Sequence, residues 1–455
     1  MSAFFGELMQ TIARRGRRLL GRQRDTKAFV DGDQKPLAEL CADLISIRGE
    51  ASGVALSARI LRRYAALDDA GRLAFFEALV YGFGPDAHRL ERAVRDWRAA
   101  PDYATASALH LAAEPRRLEL LRRLNLAAGG TAALVAMRAE LMALLPQHTD
   151  FRVVDQDFVH LFASWFNRGF LVLRRIDWST SANILEKIIK YECVHEIRSW
   201  DDLRRRIDPP DRRCYAFFHP ALIDEPLIFI EIALDTEIAG AIEPILSTGR
   251  WPADADKLTT AIFYSISNCQ KGLAGVSFGN FLIKQVVEEV SQDFPQLSAF
   301  VTLSPVPGFA AWLKQERSSD SSVCLSEADR KALATIDRPS WWRDDDASGQ
   351  VEKSLCAAAA YYFLRARNRQ GLPLDPVARF HLGNGARLEH ICFRADVSDK
   401  GLKQSHGIMV NYLYDREEID SNHEAFSVGR VIVASHMVKN LVPALSSREM
   451  TVQSN

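Results

Sequence analysis

The sequence lacks several features that would assign it to a protein class at once. It contains no pair of cysteines separated by two residues, and its seven cysteines are an odd number spread along the chain. This pattern favours a reducing compartment over a disulfide framework or a zinc site. No apolar run approaches the roughly 20 residues that span a bilayer, so we expect neither an integral membrane protein nor a membrane partner.

The chain also lacks a surplus of either charge. Its 57 Lys and Arg residues against 58 Asp and Glu residues give a formal net charge of -1. A nucleic-acid-binding protein normally has a basic surplus, so we expect no nucleic-acid partner. The hydrophobic share of 47% and the charged share of 25% are ordinary for a soluble globular enzyme, and 455 residues suffice for two to three domains.

The N-terminus is rich in arginine and has Glu7 as its only acid within the first 24 residues. It has no continuous apolar core of a secretory signal. Because arginine is abundant throughout the chain, we interpret this segment as a solvated amphipathic helix and expect a cytoplasmic location. A mitochondrial transit peptide, and hence the mitochondrial matrix, is the alternative.

Two parts of the chain differ in hydrophobic periodicity. Residues 1–165 carry apolar side chains at helical spacing between short breakers, which predicts an all-α bundle that serves as an oligomerisation module. Residues 166–455 alternate strand-like runs with helices, which predicts a mixed α/β domain with a late helix around "VGRVIVASHMVKNLV". The acidic run Asp344, Asp345 and Asp346 is interpreted as a solvated turn rather than a metal site.

The segment "NCQKGLAGVSFGNFLIKQVVEEV" places three glycines between a predicted strand and an amphipathic helix. Its glycine spacing matches neither the Walker A nor the dinucleotide-binding pattern. No acid lies between Gln270 and Val287, so nothing competes with an anion for the positive end of the helix. The segment is therefore either an anion-binding loop or only a tight turn between a strand and a helix.

Two further residues are candidates for chemistry. The string "VTLSPVPGF" predicts a strand that ends at Ser304, because Pro305 and Pro307 cannot continue it. His381 precedes the turn formed by Asn384 and Gly385 and is predicted to lie in a loop. The ordinary alternatives are a turn-capping serine and a polar surface histidine. The separation of 77 positions between Ser304 and His381 does not show whether the two side chains lie close together.

Several strings that include "CQKGLAGVSFGNFLIK", "LSPVPGF", "FHLGNGA" and "GIMVNYLY" together resemble the malonyl-CoA decarboxylase family from about residue 180 onward. The resemblance implies an N-terminal helical domain used in oligomer formation and a C-terminal acetyltransferase-like (GNAT-like) domain. It implies that Ser304 and His381 are catalytic and that Ser265 and Tyr414 line the active site. It further implies that coenzyme A is bound by the loop of Ala274, Gly275, Val276, Ser277, Phe278, Gly279 and Asn280.

The sequence departs from the animal members at two points. They carry a glutamate where this chain has Ser277, so a catalytic duty of that carboxylate is absent here or unnecessary. They also end in a peroxisomal Ser-Lys-Leu signal, whereas this chain ends in "TVQSN". The second difference favours a bacterial-type cytoplasmic enzyme.

The reaction implied by the resemblance is decarboxylation of malonyl-CoA to acetyl-CoA and carbon dioxide. The thioester accepts the electron pair as an enolate, so we expect no cofactor and no metal, and the sequence shows no cluster of metal ligands. Ser304 either binds the malonyl group or relays a proton. A histidine titrates near neutrality, so we expect His381 to donate the proton.

Two other functions stay open at this stage. An N-acetyltransferase would use the same coenzyme site together with an amine acceptor, and a non-catalytic acyl-CoA sensor would bind a partner through its helical half. In each case we expect a homo-oligomer, either a dimer or a tetramer.

Overall fold

The computed structural model of the protein describes residues 35–47, 49–276, 282–319 and 322–442. The predicted N-terminal amphipathic helix and residues Ser277 to Asn280 of the glycine loop lie outside these ranges. The chain forms two compact units. The first consists of Met1–Val172, Phe217–Leu227 and Asn268–Phe278, and the second consists of Leu173–Ala216, Ile228–Ser267 and Gly279–Asn455.

The first part of the chain is helical. Its helices are α1 (Leu37–Ser46), α2 (Glu50–Ala65), α3 (Asp69–Gly82), α4 (Ala87–Ala99), α5 (Tyr103–Ala113), α6 (Arg116–Asn125), α7 (Gly130–Leu144) and α8 (Arg152–Trp165). Their apolar faces form a buried core that includes Leu120, Leu134, Phe151 and Phe158.

Aspartates begin three of these helices. The side chains of Asp68, Asp86 and Asp102 accept hydrogen bonds of 2.7 to 2.9 Å from backbone N–H groups in the first turns of α3, α4 and α5. Each cap satisfies a donor that has no partner inside the helix. The sequence breakers between apolar runs therefore coincide with capped helix starts, and the predicted helical part is confirmed.

The chain after residue 171 is mixed. Its strands are β1 (Val172–Ile176), β2 (Arg212–Phe218), β3 (Pro226–Asp235), β4 (Thr260–Asn268), β5 (Ala299–Thr302), β6 (Ser304–Pro305), β7 (Arg387–Cys392) and β8 (Met409–Leu413). Its helices are α9 (Ala182–Tyr191), α10 (Trp200–Ile207), α11 (Glu243–Leu246), α12 (Leu282–Asp293), α13 (Phe309–Ser318), α14 (Glu327–Leu333), α15 (Asp345–Leu364), α16 (Pro376–Gly383), α17 (Asp399–Ser405), α18 (Ile419–Ser427) and α19 (His436–Leu441). The predicted succession of a helical part and a mixed α/β part is confirmed. Among the described helices, none combines the length and the apolar character that crossing a bilayer requires.

The strands form one sheet in the order β1-β2-β3-β4-β5-β8-β6, and β7 also pairs with β8. Strands β4 and β5 are parallel. Strand β8 is antiparallel to β5, β6 and β7. Strand β8 therefore connects the end of β5, the whole of β6 and the strand β7 that follows helix α16.

The pairing of strands β4 and β5 ends before β4 itself ends. Their pairing runs from Thr260 opposite Ala299 to Phe263 opposite Thr302, while β4 continues to Asn268. The chain leaves β5 at Leu303 and enters β6, where Ser304 pairs with Val410 of β8. The prediction that one strand ends at Ser304 is thus wrong in detail. Ser304 begins a second, two-residue strand, and Pro305 is tolerated because this strand is so short.

The predicted late helix is only partly correct. Helices α18 and α19 flank a non-helical segment between Val428 and Ser435. This segment bonds to β7: the Leu388 N–H donates to the Val433 carbonyl (3.0 Å), and the Ser435 N–H donates to the Leu388 carbonyl (2.9 Å). Pairing with a strand has overridden the local helical periodicity, and β-branched residues favour that outcome.

The acidic run has a structural role at the start of α15. The Asp344 side chain accepts hydrogen bonds from the N–H groups of Asp346 and Ala347 at 3.0 and 3.1 Å. Asp345 and Asp346 lie in the first turn, where negative charge is favoured by the helix dipole. The acidic run that was interpreted as a solvated turn therefore caps a helix.

Gly272 allows a close backbone contact in the first unit. It lies in a short 3₁₀ turn, Lys271–Leu273, that packs on α7. A Cβ added at Gly272 would lie 1.8 Å from the carbonyl oxygen of Val135, which is far inside van der Waals contact. Only glycine allows this turn to rest on the helix backbone.

We expect Gly272→Ala to lower the midpoint of the first thermal unfolding transition, because overpacking of this kind costs about 1–3 kcal/mol. Gly82→Ala is the matched control. An added Cβ at Gly82, at the end of α3, meets nothing within 4 Å. That variant should keep or raise the midpoint, since alanine favours the helix. Equal midpoints for the two variants in differential scanning calorimetry would contradict the packing argument.

Candidate active site

The structure brings together three residues singled out from the sequence: Ser304, His381 and Tyr414. The Ser304 hydroxyl oxygen lies 3.2 Å from His381 Nε2. On the other side of the ring, His381 Nδ1 lies 2.8 Å from the Tyr414 hydroxyl oxygen. All three side chains are buried. They form a continuous hydrogen-bonded row of hydroxyl, imidazole and phenol.

His381 lies in the last turn of α16, so the prediction that it occupies a loop is wrong. The helix begins with the Asp375 side chain, which accepts a hydrogen bond from the Ala378 N–H at 2.8 Å, and with Pro376 at the first helical position. This combination is a usual helix start. The imidazole stacks on the Tyr412 ring, with 4.5 Å between the ring centroids and 22° between the planes.

Thr302 is a further member of the site that the sequence analysis missed. Its hydroxyl oxygen accepts hydrogen bonds from the Ser304 hydroxyl (2.8 Å) and from the Tyr412 N–H (3.2 Å). Thr302 ends β5 and is fully buried. Its spacing of two residues from Ser304 was the available signal, since residues two apart on a strand share a face.

Burial decides the ionisation of the row. It lowers the pKa of His381 from 6.5 to about 3, because the charged imidazolium would lose its hydration. Burial also raises the pKa of Tyr414 well above 10. Both groups are therefore neutral near pH 7. The expectation that His381 titrates near neutrality is wrong in this structure, because no acid compensates for its desolvation.

Ser265 lies on β4, and its hydroxyl contacts the buried side chain of Glu192. Its hydroxyl donates to Glu192 Oε2 at 2.7 Å, and the Ser267 hydroxyl donates to the same atom at 3.2 Å. Glu192 Oε1 accepts the N–H groups of Val194 and His195, each at 2.7 Å. No hydrogen bond among the described residues joins Ser265 to the row. Glu192 was missed, although an acid at the C-terminal end of a helix is unusual on electrostatic grounds.

The described part of the glycine loop offers one free donor. The Ala274 and Val276 N–H groups donate within the loop, to the carbonyls of Lys271 (3.1 Å) and Leu273 (3.0 Å). Over the described residues, no acceptor binds the Gly275 N–H. Gly275 has φ +75°, which lies in the left-handed region that favours glycine. Ala274 and Val276 therefore do not offer their N–H groups to a ligand in this conformation.

Arg138 on α7 holds the loop from one side. Its Nη1 donates to the carbonyls of Gly272 and Ala274, both at 2.8 Å, and its Nε donates to Asp155 at 2.8 Å. In a trans peptide the carbonyl and the following N–H point in opposite directions. The Gly275 N–H therefore points away from Arg138. Arg138 was not a candidate from the sequence, because nothing in its local sequence distinguishes it from the other arginines.

The sequence was compared with protein families and with curated proteins. It matches the family profile of the malonyl-CoA decarboxylase C-terminal domain over residues 169–452 and that of the N-terminal domain over residues 83–166. Mitochondrial malonyl-CoA decarboxylase of Anser anser anser is 35% identical over 423 residues, which cover 85% of this chain and 83% of that protein. The protein of the same name from Rattus norvegicus is 32% identical over 445 residues, covering 90% and 87%.

Solved structures agree with these matches. The crystal structure of malonyl-CoA decarboxylase from Rhodopseudomonas palustris is 56% identical with a TM-score of 0.87, covering 89% of this chain and 98% of that one. The corresponding structure from Agrobacterium vitis is 53% identical with a TM-score of 0.85, covering 90% and 100%. Sequence and fold agree over nearly the whole length, and the chain therefore belongs to the malonyl-CoA decarboxylase family.

Proposed function

We propose that this enzyme decarboxylates malonyl-CoA and that Ser304 and His381 carry the chemistry. The observation that supports this assignment most directly is the buried contact of 3.2 Å between the Ser304 hydroxyl and His381 Nε2. Membership of the family supports the substrate, since the relatives are named for this activity. Neither the N-acetyltransferase nor the acyl-CoA sensor is favoured by these matches.

The reaction needs no cofactor in this proposal. The bond between the α-carbon and the carboxylate breaks, its electron pair enters the thioester enolate, and carbon dioxide leaves. The α-carbon then takes a proton, so malonyl-CoA and water yield acetyl-CoA and bicarbonate overall. The enzyme has to orient the carboxylate, stabilise the enolate oxygen and deliver the proton.

His381 acts in the neutral form in this proposal. A carbanion next to a thioester is a stronger base than deprotonated imidazole, so a neutral ring N–H suffices to protonate it. A neutral imidazole, with its pKa lowered by a helix N-terminus, also serves as an electrophile in another enzyme. Ser304 gives its hydroxyl proton to the α-carbon and takes the proton of Nε2, which leaves an imidazolate. Water then reprotonates the ring, and the resulting hydroxide adds to carbon dioxide to form bicarbonate. Tyr414 keeps the ring oriented through Nδ1.

The glycine loop is proposed to bind the pyrophosphate of coenzyme A. The Gly275 N–H, which points away from Arg138, is the described donor that supports this assignment. Ser277, Phe278, Gly279 and Asn280 complete the proposed loop from outside the described residues. Because Ser277 replaces the glutamate of animal members, the proposal uses no carboxylate at this place.

Assembly and location belong to the proposal as well. We propose that residues 1–165 mediate a dimer or tetramer and that residues 166–455 perform the chemistry. The exposed Tyr103 and Leu111 on α5, 92% and 52% accessible, support a role of the helical part in assembly. A cytoplasmic location is supported by the bacterial origin of the two solved structures described above.

The activity test is to incubate the protein with malonyl-CoA and to follow bicarbonate and acetyl-CoA. Ser304→Ala should lower turnover roughly 10²-fold, as loss of one positioned donor does. His381→Ala should cost a similar factor through the missing proton donor, and the double variant should lose less than the product of both factors.

His219→Ala is a matched control for emptying a buried histidine site, because His219 is also buried and its ring packs at a tilt of 50° against the Phe166 ring. It should lose stability but keep its turnover. A folded His381→Ala variant with near wild-type turnover would remove His381 from the mechanism. No product from the wild type would refute the activity itself, and product that appears only with an added amine would indicate the transferase.

The pH dependence follows from the low pKa of His381. Because its folded-state pKa is about 3, the ring stays neutral as the pH falls from 8 to 5. We therefore expect no loss of kcat from protonation of this group in that range. The contrary result would be a fall in kcat with an apparent pKa near 6.5 in the wild type and a residual rate in His381→Asn that does not depend on pH. That result would contradict a neutral His381.

The loop is tested with Gly275→Ala and with Gly129→Ala as the matched control. Both glycines have positive φ, +75° and +74°, and an added Cβ meets nothing within 4 Å at either position. Each variant should lose about 1–2 kcal/mol of stability from the left-handed backbone alone. Only Gly275→Ala should weaken coenzyme A binding in calorimetric titration. Equal affinities in both variants would show that the loop is merely a turn.

A further inference from the structure

Thr302 occupies a position from which it can decide where the hydrogens of the active-site row lie. It is fully buried at the end of β5. Its carbonyl accepts a hydrogen bond from the Asn411 side chain at 2.8 Å, and its Oγ1 accepts one from the Tyr412 N–H at 3.2 Å. Both partners belong to β8, so the threonine hydroxyl is held in one place.

The Ser304 hydroxyl donates to this fixed oxygen at 2.8 Å. A serine hydroxyl has a single hydrogen and two lone pairs. Since its hydrogen is directed to Thr302, Ser304 can only accept in its contact with His381 Nε2. The hydrogen between Ser304 and His381 must therefore belong to the ring.

The number of hydrogens on the ring also determines whether Nδ1 donates or accepts. A neutral imidazole carries one hydrogen, so a hydrogen on Nε2 leaves Nδ1 as an acceptor. Nδ1 then accepts the hydrogen of the Tyr414 hydroxyl, 2.8 Å away. The phenol can serve as this donor because it stays protonated in its buried position. Every hydrogen from Tyr414 through His381 to Ser304 runs in one direction, toward Thr302.

We propose that Thr302 is a positioning residue that holds His381 in the Nε2–H form. The proposal rests on the proposed function, in which the Nε2–H faces Ser304 and supplies the proton. With the opposite tautomer, Nε2 would present a lone pair to Ser304 and could only take a proton away. Thr302 contacts neither nitrogen of the ring and acts through Ser304.

Thr302→Val tests this inference, because valine has nearly the same shape and lacks the accepting oxygen. The Ser304 hydrogen should turn to Nε2, and the ring hydrogen should move to Nδ1. In protein with ¹⁵N-labelled histidine rings, the His381 Nε2 signal should change from the protonated to the unprotonated range. We expect kcat to fall at least about tenfold, as a wrong tautomer does elsewhere, with KM within about twofold.

Thr302→Ser is the matched control, since it keeps the hydroxyl at the same place. It should keep the Nε2–H signal and a kcat within about threefold of the wild type. If Thr302→Val does not fold, the wild-type and Thr302→Ser spectra can still overturn the inference, because the inference requires a hydrogen on Nε2 in both proteins.

Three results would overturn the inference: a wild-type ring with its hydrogen on Nδ1, an unchanged tautomer in folded Thr302→Val, or a changed tautomer with normal kcat. Failure of the proposed function looks different. In that case the wild type would release no carbon dioxide, while the nitrogen spectra would still report whether Thr302 orients the row.

Discussion

The pairing of β8 with three other strands is the constraint on which the site depends. It places Val410 opposite Ser304, directs the Tyr412 N–H to the Thr302 hydroxyl, and lays the Tyr412 ring against His381. Tyr414 follows on the same strand end, where its N–H donates to the Phe300 carbonyl at 2.8 Å. A shift of β8 by one residue would turn these side chains to the other face of the sheet. The geometry of the row is therefore a matter of strand register.

Burial is the second constraint, and it acts on charge. Inside the sheet, the cost of removing an imidazolium from water outweighs any stabilisation that hydroxyl neighbours can give, so the row is neutral. Elsewhere in the same unit, the buried Glu192 side chain accepts four hydrogen bonds from two N–H groups and two hydroxyls, which satisfy both of its oxygens.

Three elements show which parts of the fold could be predicted from the sequence. The helix starts at Asp68, Asp86 and Asp102 are local signals and were readable, because a cap involves residues within one turn. The helix that contains His381 also has a local signal, because Asp375 and Pro376 form a usual helix start. This signal was overlooked because the turn after the helix was given more weight. The segment after α18 was not readable, because its conformation comes from bonds to β7, about 45 residues away.

The sequence by itself determined the succession of a helical and a mixed part, the family, and the identities of Ser304, His381 and Tyr414 as candidates. The succession follows from periodicity, and the family and the candidates follow from short strings that resemble that family. Both are properties of neighbouring residues. Only the tertiary structure decided that the three side chains meet, that Thr302 joins them, and that the imidazole is neutral. Contacts between distant residues and the water they exclude arise when the sheet assembles, and hydrogen-bond direction and pKa depend on both.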